Sequence, residues 1–135
     1  MMALNLDAPM RLMRAAVPAG VSCIVNIADV GATQPWPNYL AYSTSKAALL
    51  HLSRCLALEL APRVRVAAVA PGTVAFPDDY PAAERERIVA RIPLGRVCAP
   101  ADVARAVNYL CTADYVTGSV VTVDGGRMAG TLGRL

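Results

Sequence analysis

The sequence predicts an α/β fold in which parallel strands are joined by helical crossovers. Segments with helical periodicity alternate along the chain with short, almost wholly apolar runs rich in β-branched residues. Such runs are typical of strands in a parallel sheet that is covered on both faces. The order of the elements is helix, strand, helix, strand, two helices and a final strand, and this order requires crossover connections between the strands.

The first two elements lie before residue 28. Residues 2–16 predict a helix that Pro9 is expected to kink, because proline has no backbone N–H to donate. Pro18 and Gly20 end this helix. The run SCIVNI at residues 22–27 is β-branched and apolar, and it predicts a short buried strand.

The strongest helical pattern is at residues 39–60, which contain good helix formers and a leucine-rich stripe. The loop before it, residues 29–38, is rich in glycine and proline. The run VRVAAVA at residues 64–70 predicts a second buried strand. The remaining predicted elements are a charged helix at 81–91, a helix at 100–112, a strand at 119–123 and a turn at Asp124-Gly125-Gly126.

Composition excludes several classes of protein. The chain has 135 residues and therefore room for one domain, and its 56% hydrophobic and 17% charged residues exclude a disordered chain. Twelve of its thirteen basic residues are scattered arginines and the formal net charge is only +3, so we expect no nucleic-acid partner. No apolar run is long enough to span a membrane, and no signal peptide is recognisable, so we expect a cytoplasmic protein without a membrane partner.

Four cysteines and one histidine are the candidate metal ligands. Cys23, Cys55, Cys98 and Cys111 show no CxxC spacing, and His51 is the only histidine, so we expect no metal site. The cysteines lie in apolar periodic segments, which favours buried free thiols in a reducing compartment.

Tyr42 and Lys46 lie four residues apart on the long predicted helix, so their side chains share one face. A lysine ammonium beside a phenol favours the phenolate, which predicts a lowered pKa for Tyr42 and a proton donor or acceptor near neutral pH. Lys46 is the only lysine of the chain, which suggests that its chemistry is required. The alternative is a pair on a solvated helix face.

Asp29 follows the first predicted strand and precedes Tyr42 by 13 residues. The second strand ends at Pro71-Gly72 and the last at Asp124. Because ligands of open α/β sheets bind beyond the carboxyl ends of the strands, these three strand ends mark a candidate site. The alternative is that Asp29 and Pro71-Gly72 are only turn or cap residues.

Together these motifs resemble the C-terminal half of a short-chain dehydrogenase/reductase. That family has Y-x-x-x-K on a long helix, an acidic or hydroxyl residue at the preceding strand end, Pro-Gly after the next strand, and Asp-Gly-Gly after the last. Asn5, within LNLDAP, matches the asparagine of the family's active-site helix. The resemblance covers residues 1–126, leaving 127–135 as a tail, and it implies the C-terminal part of a doubly wound Rossmann fold of about three strands whose N-terminal strands are missing.

The resemblance also implies roles for individual residues. Tyr42 would supply the proton, Lys46 would hold the nicotinamide ribose, and Asp29 would orient or protonate the substrate. Asn5 would hold a water that links Lys46 to solvent. The nicotinamide pocket would be shaped by Pro71, Gly72 and Val74, with Tyr42 and Lys46 as further cofactor contacts.

Within the family the chain most resembles pteridine reductases. Most members carry Ser where this chain has Asp29, and Phe76 replaces the family's usual Thr. Phe76, Trp36 and Tyr39 are then candidates to hold a flat substrate, unless they are ordinary core residues. The resemblance implies NADPH-dependent reduction of a C=N bond in a pterin or folate. A carbonyl reductase of the 3-oxoacyl type is the alternative.

The family's Gly-rich phosphate-binding turn has no counterpart in this sequence. We therefore expect the 135-residue chain alone to bind NADPH weakly and to be inactive, and a non-catalytic fragment or assembly partner is the alternative to an enzyme. The chain has more apolar residues than one domain of its size can bury. In the family that it resembles, the helices that correspond to residues 2–16 and 39–60 pack against a second subunit. We therefore expect a homo-oligomer formed through helices 2–16 and 39–60.

Overall fold

A computed structural model of the protein describes residues 1–34 and 36–130. It contains a three-stranded parallel sheet with the strand order β1-β2-β3. The strands are β1 (Cys23–Ile27), β2 (Arg65–Pro71) and β3 (Val120–Val123). The predicted fold class is confirmed, since helical crossovers connect successive parallel strands.

Four α-helices flank the sheet. They are α1 (Ala8–Ala16), α2 (Leu40–Glu59), α3 (Ala82–Val89) and α4 (Pro100–Thr112). One π-helical turn, Ala3–Asp7, precedes α1, and one 3-10 turn, Val30–Ala32, lies in the loop after β1. The predicted bounds differ from these mostly by one or two residues.

The N-terminal helix begins with a π-helical turn before α1. In this turn the N–H of Ala8 donates to the carbonyl of Ala3. Pro9 then falls in the first turn of α1, where the missing N–H costs least. The kink predicted at Pro9 stays a prediction.

The core lies on both faces of β2, the central strand, whose residues from Val66 to Pro71 are all buried. On one face Val66 packs with Ala57 of α2, and on the other Val69 packs with Leu110 of α4. This burial on both faces explains why β2 is apolar without alternation.

One edge of β1 pairs with β2, from Cys23 opposite Arg65 to Ile27 opposite Val69. Its other edge has no strand partner among the residues that the structure describes. A cleft runs along that edge, and the exposed side chain of Leu12 lies on its wall. An unpaired strand edge of this kind is available for pairing with another strand.

The four cysteines are free thiols, but the expectation that they are buried is right only for Cys98. Cys23 and Cys55 are half-buried, and Cys111 is exposed. Cys111 lies in the last turn of α4, beyond the buried Leu110, and this position faces solvent.

None of the helices among the described residues is both long enough and apolar enough to cross a membrane.

Candidate active site

Three strand ends meet at one edge of the sheet, since all three strands run in the same direction. Beyond β1, the N–H of Ala28 donates to the carbonyl of Val69 at 2.8 Å. Beyond β2, the N–H of Gly72 donates to the carbonyl of Val123 at 2.9 Å. These bonds hold the segments that carry Asp29 and Asp124 on either side of the end of β2.

Asp29 has extended backbone angles and caps the 3-10 turn that follows it. One carboxylate oxygen, Oδ1, accepts a hydrogen bond of 2.6 Å from the N–H of Gly31. The other oxygen, Oδ2, accepts a hydrogen bond of 2.9 Å from the hydroxyl of Tyr42. The cap role and the contact with Tyr42 are therefore compatible, because each uses a different oxygen.

The environment of Tyr42 raises the pKa of its phenol far above the ordinary value of 10.0. Burial is the main cause, and the hydrogen bond to Asp29 and the negative charge of that carboxylate add to it. The expectation that Lys46 lowers the pKa of Tyr42 is wrong for this arrangement. Tyr42 is therefore a protonated phenol at neutral pH.

Lys46 lies one helical turn beyond Tyr42 and points to the end of β1. Its Nζ donates to the carbonyl of Ile27 at 3.1 Å and is 6.0 Å from the centroid of the Tyr42 ring. Burial lowers the pKa of the Lys46 ammonium, and the charge of Asp29 acts in the opposite direction. An ammonium has three N–H donors, so two remain for a ligand.

Asn5 reaches the site through a residue that the sequence analysis did not single out. Its amide donates to Oγ of Ser45 at 3.0 Å, and Ser45 Oγ donates in turn to the carbonyl of Tyr42 at 2.7 Å. Ser45 is completely buried. Its position three residues after Tyr42 was the available signal, because i,i+3 neighbours share a helix face. Asn5 and Lys46 also line the same cleft along β1.

Gly72 is required by the close approach of β2 to the turn after β3. A Cβ at this position would lie 2.9 Å from the Cβ of Asp124 and 3.0 Å from its Cα. Pro71 is the buried last residue of β2, and Val74 is half-buried. These residues lie at the predicted sheet edge, and their contact with a nicotinamide stays a prediction.

The three aromatic residues that the sequence analysis named line one cleft beside this edge. Trp36 and Tyr39 make an edge-to-face contact with 6.2 Å between ring centroids. Phe76 stacks on Tyr80 at 5.1 Å. Tyr80 and Arg127 are further lining residues that were not predicted to be part of the site, although Arg127 directly follows the predicted turn at Asp124-Gly125-Gly126.

The donor set at the sheet edge fits a nicotinamide riboside. The remaining N–H donors of Lys46 and the hydroxyl of Tyr42 lie on the same helix face, and these groups can bind the hydroxyls of a ribose. Asp29 and Tyr42 together provide a proton donor and an acceptor side by side. The arrangement can therefore hold a cofactor and move a proton.

Comparisons with known proteins identify the family of the chain. A family model described as enoyl-(acyl carrier protein) reductase matches residues 1–127. The chain is 40% identical over 108 residues to the 3-oxoacyl-[acyl-carrier-protein] reductase FabG of Thermotoga maritima, covering 76% of this chain and 44% of that protein. It is 43% identical over 119 residues to a 4-formylbenzenesulfonate dehydrogenase of Comamonas testosteroni, covering 80% and 47%.

A solved structure of a 4-hydroxyisoleucine dehydrogenase mutant complexed with NADH and succinate has a TM-score of 0.91 and 31% identity. The superposition covers 97% of this chain and 59% of that one. The chain thus spans about half the length of the curated relatives it matches. On the family match and these relatives, the chain belongs to the short-chain dehydrogenase/reductase family.

Proposed function

We propose that the chain provides the catalytic part of an NAD(P)H-dependent reductase that reduces a C=N or C=O bond. The observation that carries this proposal is the hydrogen bond of 2.9 Å from the Tyr42 hydroxyl to the Asp29 carboxylate. It places a protonated phenol at the carboxyl edge of a parallel sheet, where substrates of this architecture bind. The cofactor, when bound, supplies the hydride.

Tyr42 donates the proton that balances the hydride. Its phenol is protonated at neutral pH, so it can act as a general acid toward the nitrogen or oxygen of the bond being reduced. The substrate atom takes the position of Asp29 Oδ2 as the acceptor of the Tyr42 hydrogen bond. The carboxylate oxygen is then free to accept an N–H of the substrate.

Lys46 stabilises the phenolate that remains after proton transfer. Its ammonium lies 6.0 Å from the centroid of the Tyr42 ring. The attraction between an ammonium and a phenolate is stronger in a partly buried site than in water. Its free N–H donors hold the ribose hydroxyls. Asn5 is a positioning residue, because it contacts Ser45, which fixes the turn of α2 that carries Tyr42. The water-holding role of Asn5 stays a prediction.

We further propose a pterin or folate as the substrate and NADPH as the cofactor. Asp29 supports the substrate, because a carboxylate accepts the N–H groups of a pterin ring where a hydroxyl would be a weaker acceptor. The aromatic residues Trp36, Tyr39 and Phe76 support a flat ring. The names of the relatives favour a carbonyl substrate instead, and the neighbouring structure with NADH keeps NADH as the alternative cofactor.

A substrate panel tests the proposal. We would assay the 135-residue chain, and the same chain joined behind the N-terminal half of the Thermotoga relative, with NADPH or NADH and either dihydrobiopterin or a 3-oxoacyl thioester. The hybrid is expected to oxidise NADPH with dihydrobiopterin. In Asp29→Ser, activity should move toward the thioester. Turnover of the thioester alone by the unsubstituted hybrid would contradict the pterin assignment, and turnover of neither substrate would contradict the reductase.

A further inference from the structure

Arg127 extends from the turn after β3 into the aromatic cleft. Its Nη1 donates to Oγ1 of Thr73 at 3.0 Å, and its guanidinium carbon lies 5.3 Å from the centroid of the Trp36 ring. A stacked and hydrogen-bonded guanidinium is held in one orientation, which lowers the entropy lost when it binds a ligand.

Trp36 connects Arg127 to the catalytic loop. The indole lies against Gly31, since a Cβ on Gly31 would be 3.4 Å from Cδ2 and Cε3 of Trp36. The N–H of Gly31 is bound to Asp29. The Trp36 indole therefore contacts both Arg127 and the loop that carries Asp29, so the aromatic cleft adjoins that loop.

The charge of the cleft is positive. Its described lining contains Arg91 and Arg127 and no aspartate or glutamate. Within residues 1–34 and 36–130, the ion pairs join Asp102 to Arg96 and to Arg105, so no described carboxylate neutralises Arg127. Thr73 takes one N–H of Arg127, and a guanidinium has five, so a fork of donors remains for an anion.

We infer that Arg127 binds a carboxylate on the substrate, and that this site therefore prefers flat aromatic substrates that carry an acidic group, such as folates among the pterins, over those that do not. The inference rests on the proposed function, because it names the substrate class of the same cleft. The ring lies among Trp36, Tyr39 and Phe76, and the carboxylate accepts from the guanidinium of Arg127. Charge-assisted bonds of this kind are strong and geometrically specific.

Trp36 is the only tryptophan of the sequence, so a change in tryptophan fluorescence measures binding in this cleft. We would titrate the 135-residue chain with 4-formylbenzoate and with the neutral 4-formylbenzamide, and follow the fluorescence of Trp36. The carboxylate is expected to bind at least about tenfold more tightly than the amide, and added salt should reduce that preference.

Two substitutions identify the residue responsible. Arg127→Met should weaken binding of the carboxylate by about 10- to 100-fold and change binding of the amide by less than about threefold. Arg127→Lys keeps the charge and should retain part of the preference, which shows that the cleft still folds. Arg87→Met removes a charge from the exposed face of α3, away from the cleft lining, and should leave the preference unchanged.

Equal binding of the two compounds by the unsubstituted chain would overturn the inference. Equal weakening of both in Arg127→Met would also overturn it, since Arg127 would then only support Trp36. This binding test needs no turnover. A carboxylate preference without any reductase activity in the hybrid would leave the inference standing and reject the proposed function.

Discussion

The hydroxyl of Tyr42 donates a 2.9 Å hydrogen bond to the carboxylate of Asp29, 13 residues earlier in the chain. The bond joins the end of a strand to the first turns of the long helix α2. The negative charge of Asp29 opposes ionisation of Tyr42, so the phenol is protonated before the reaction. Lys46 can stabilise the phenolate only after Tyr42 has given up its proton. We therefore expect Tyr42 to act first as a proton donor.

The first prediction concerns the pKa of Tyr42. Asp29→Asn removes the negative charge, so the pKa of Tyr42 should fall toward the ordinary value of 10.0, although burial keeps it from reaching that value. NMR titration of tyrosine labelled with ¹³C at Cζ measures this pKa. Asp78→Asn removes an exposed carboxylate elsewhere and should leave the titration of Tyr42 unchanged.

The same shift has a consequence for stability. The pKa of Tyr42 is raised on folding, so the folded chain holds this proton more tightly than the unfolded chain. Its contribution to stability is fully present below pH 10.0 and is lost as the pH rises toward the folded pKa. An identical alkaline dependence of the unfolding free energy in the chain and in Asp29→Asn would contradict the role of Asp29.

The second prediction compares two serines on α2. Ser53 is buried and accepts a hydrogen bond of 2.9 Å from the buried amide of Asn26, whereas the buried hydroxyl of Ser43 has no partner among the described residues. Ser53→Ala should lower the free energy of unfolding by about 1–3 kcal/mol, because it removes the oxygen acceptor of Asn26. Ser43→Ala should be neutral or slightly stabilising.

Urea unfolding of both variants measures this difference. Each substitution replaces a serine of α2 by alanine, so the helix propensity and the conformational entropy of the unfolded chain change by the same amount in both variants. Equal effects on the unfolding free energy would show that the Asn26–Ser53 bond contributes nothing specific.

The third prediction concerns the contact between the ends of β2 and β3. Gly72→Ala places a Cβ 2.9 Å from the Cβ of Asp124 and should destabilise the fold by about 1–3 kcal/mol, because backbone must shift. Thermal unfolding of Gly72→Ala should show this loss as a lower Tm, and an unchanged Tm would contradict the close approach.

The fourth prediction is the homo-oligomer, which stays a prediction of the sequence. Leu12 of α1 is 71% exposed and Leu58 of α2 is 83% exposed, and both lie on the helices that are expected to form the interface. Exposed apolar side chains of this kind are typical of a surface that a partner covers. Light scattering should therefore show a mass above that of one chain, and Leu58→Glu should reduce it. Leu94→Glu changes an equally exposed leucine outside these helices and should have no effect. A monomeric unsubstituted chain would contradict the prediction.

The sequence predicted the elements of the site because its signals are local. The spacing of Tyr42 and Lys46 places both on one helix face, and the helix was predictable because a twenty-residue segment rich in Ala and Leu is followed by Pro62. Asp29 was predictable from the strand that precedes it, since the carboxyl ends of parallel strands share one edge.

The features of the site that were not predicted depend on contacts between residues that are far apart in the sequence. The contact between Arg127 and Thr73 joins residues 54 positions apart, and that between Asn5 and Ser45 joins residues 40 positions apart. No periodic pattern in the sequence predicts either contact. The direction of the Tyr42 pKa was predicted wrongly for a similar reason. Helical spacing places Lys46 near the ring, but only the path of the loop after β1 brings the carboxylate of Asp29 to the hydroxyl.

Proton donation by Tyr42 is the central claim, and the rate of cofactor oxidation tests it most directly. In the hybrid that carries the N-terminal half of the Thermotoga relative, Tyr42→Phe should lower kcat by about 10²- to 10⁴-fold, because the general acid is lost. Tyr115→Phe alters an almost fully exposed tyrosine and should leave kcat unchanged. A Tyr42→Phe hybrid that retains the kcat of its parent would contradict the claim.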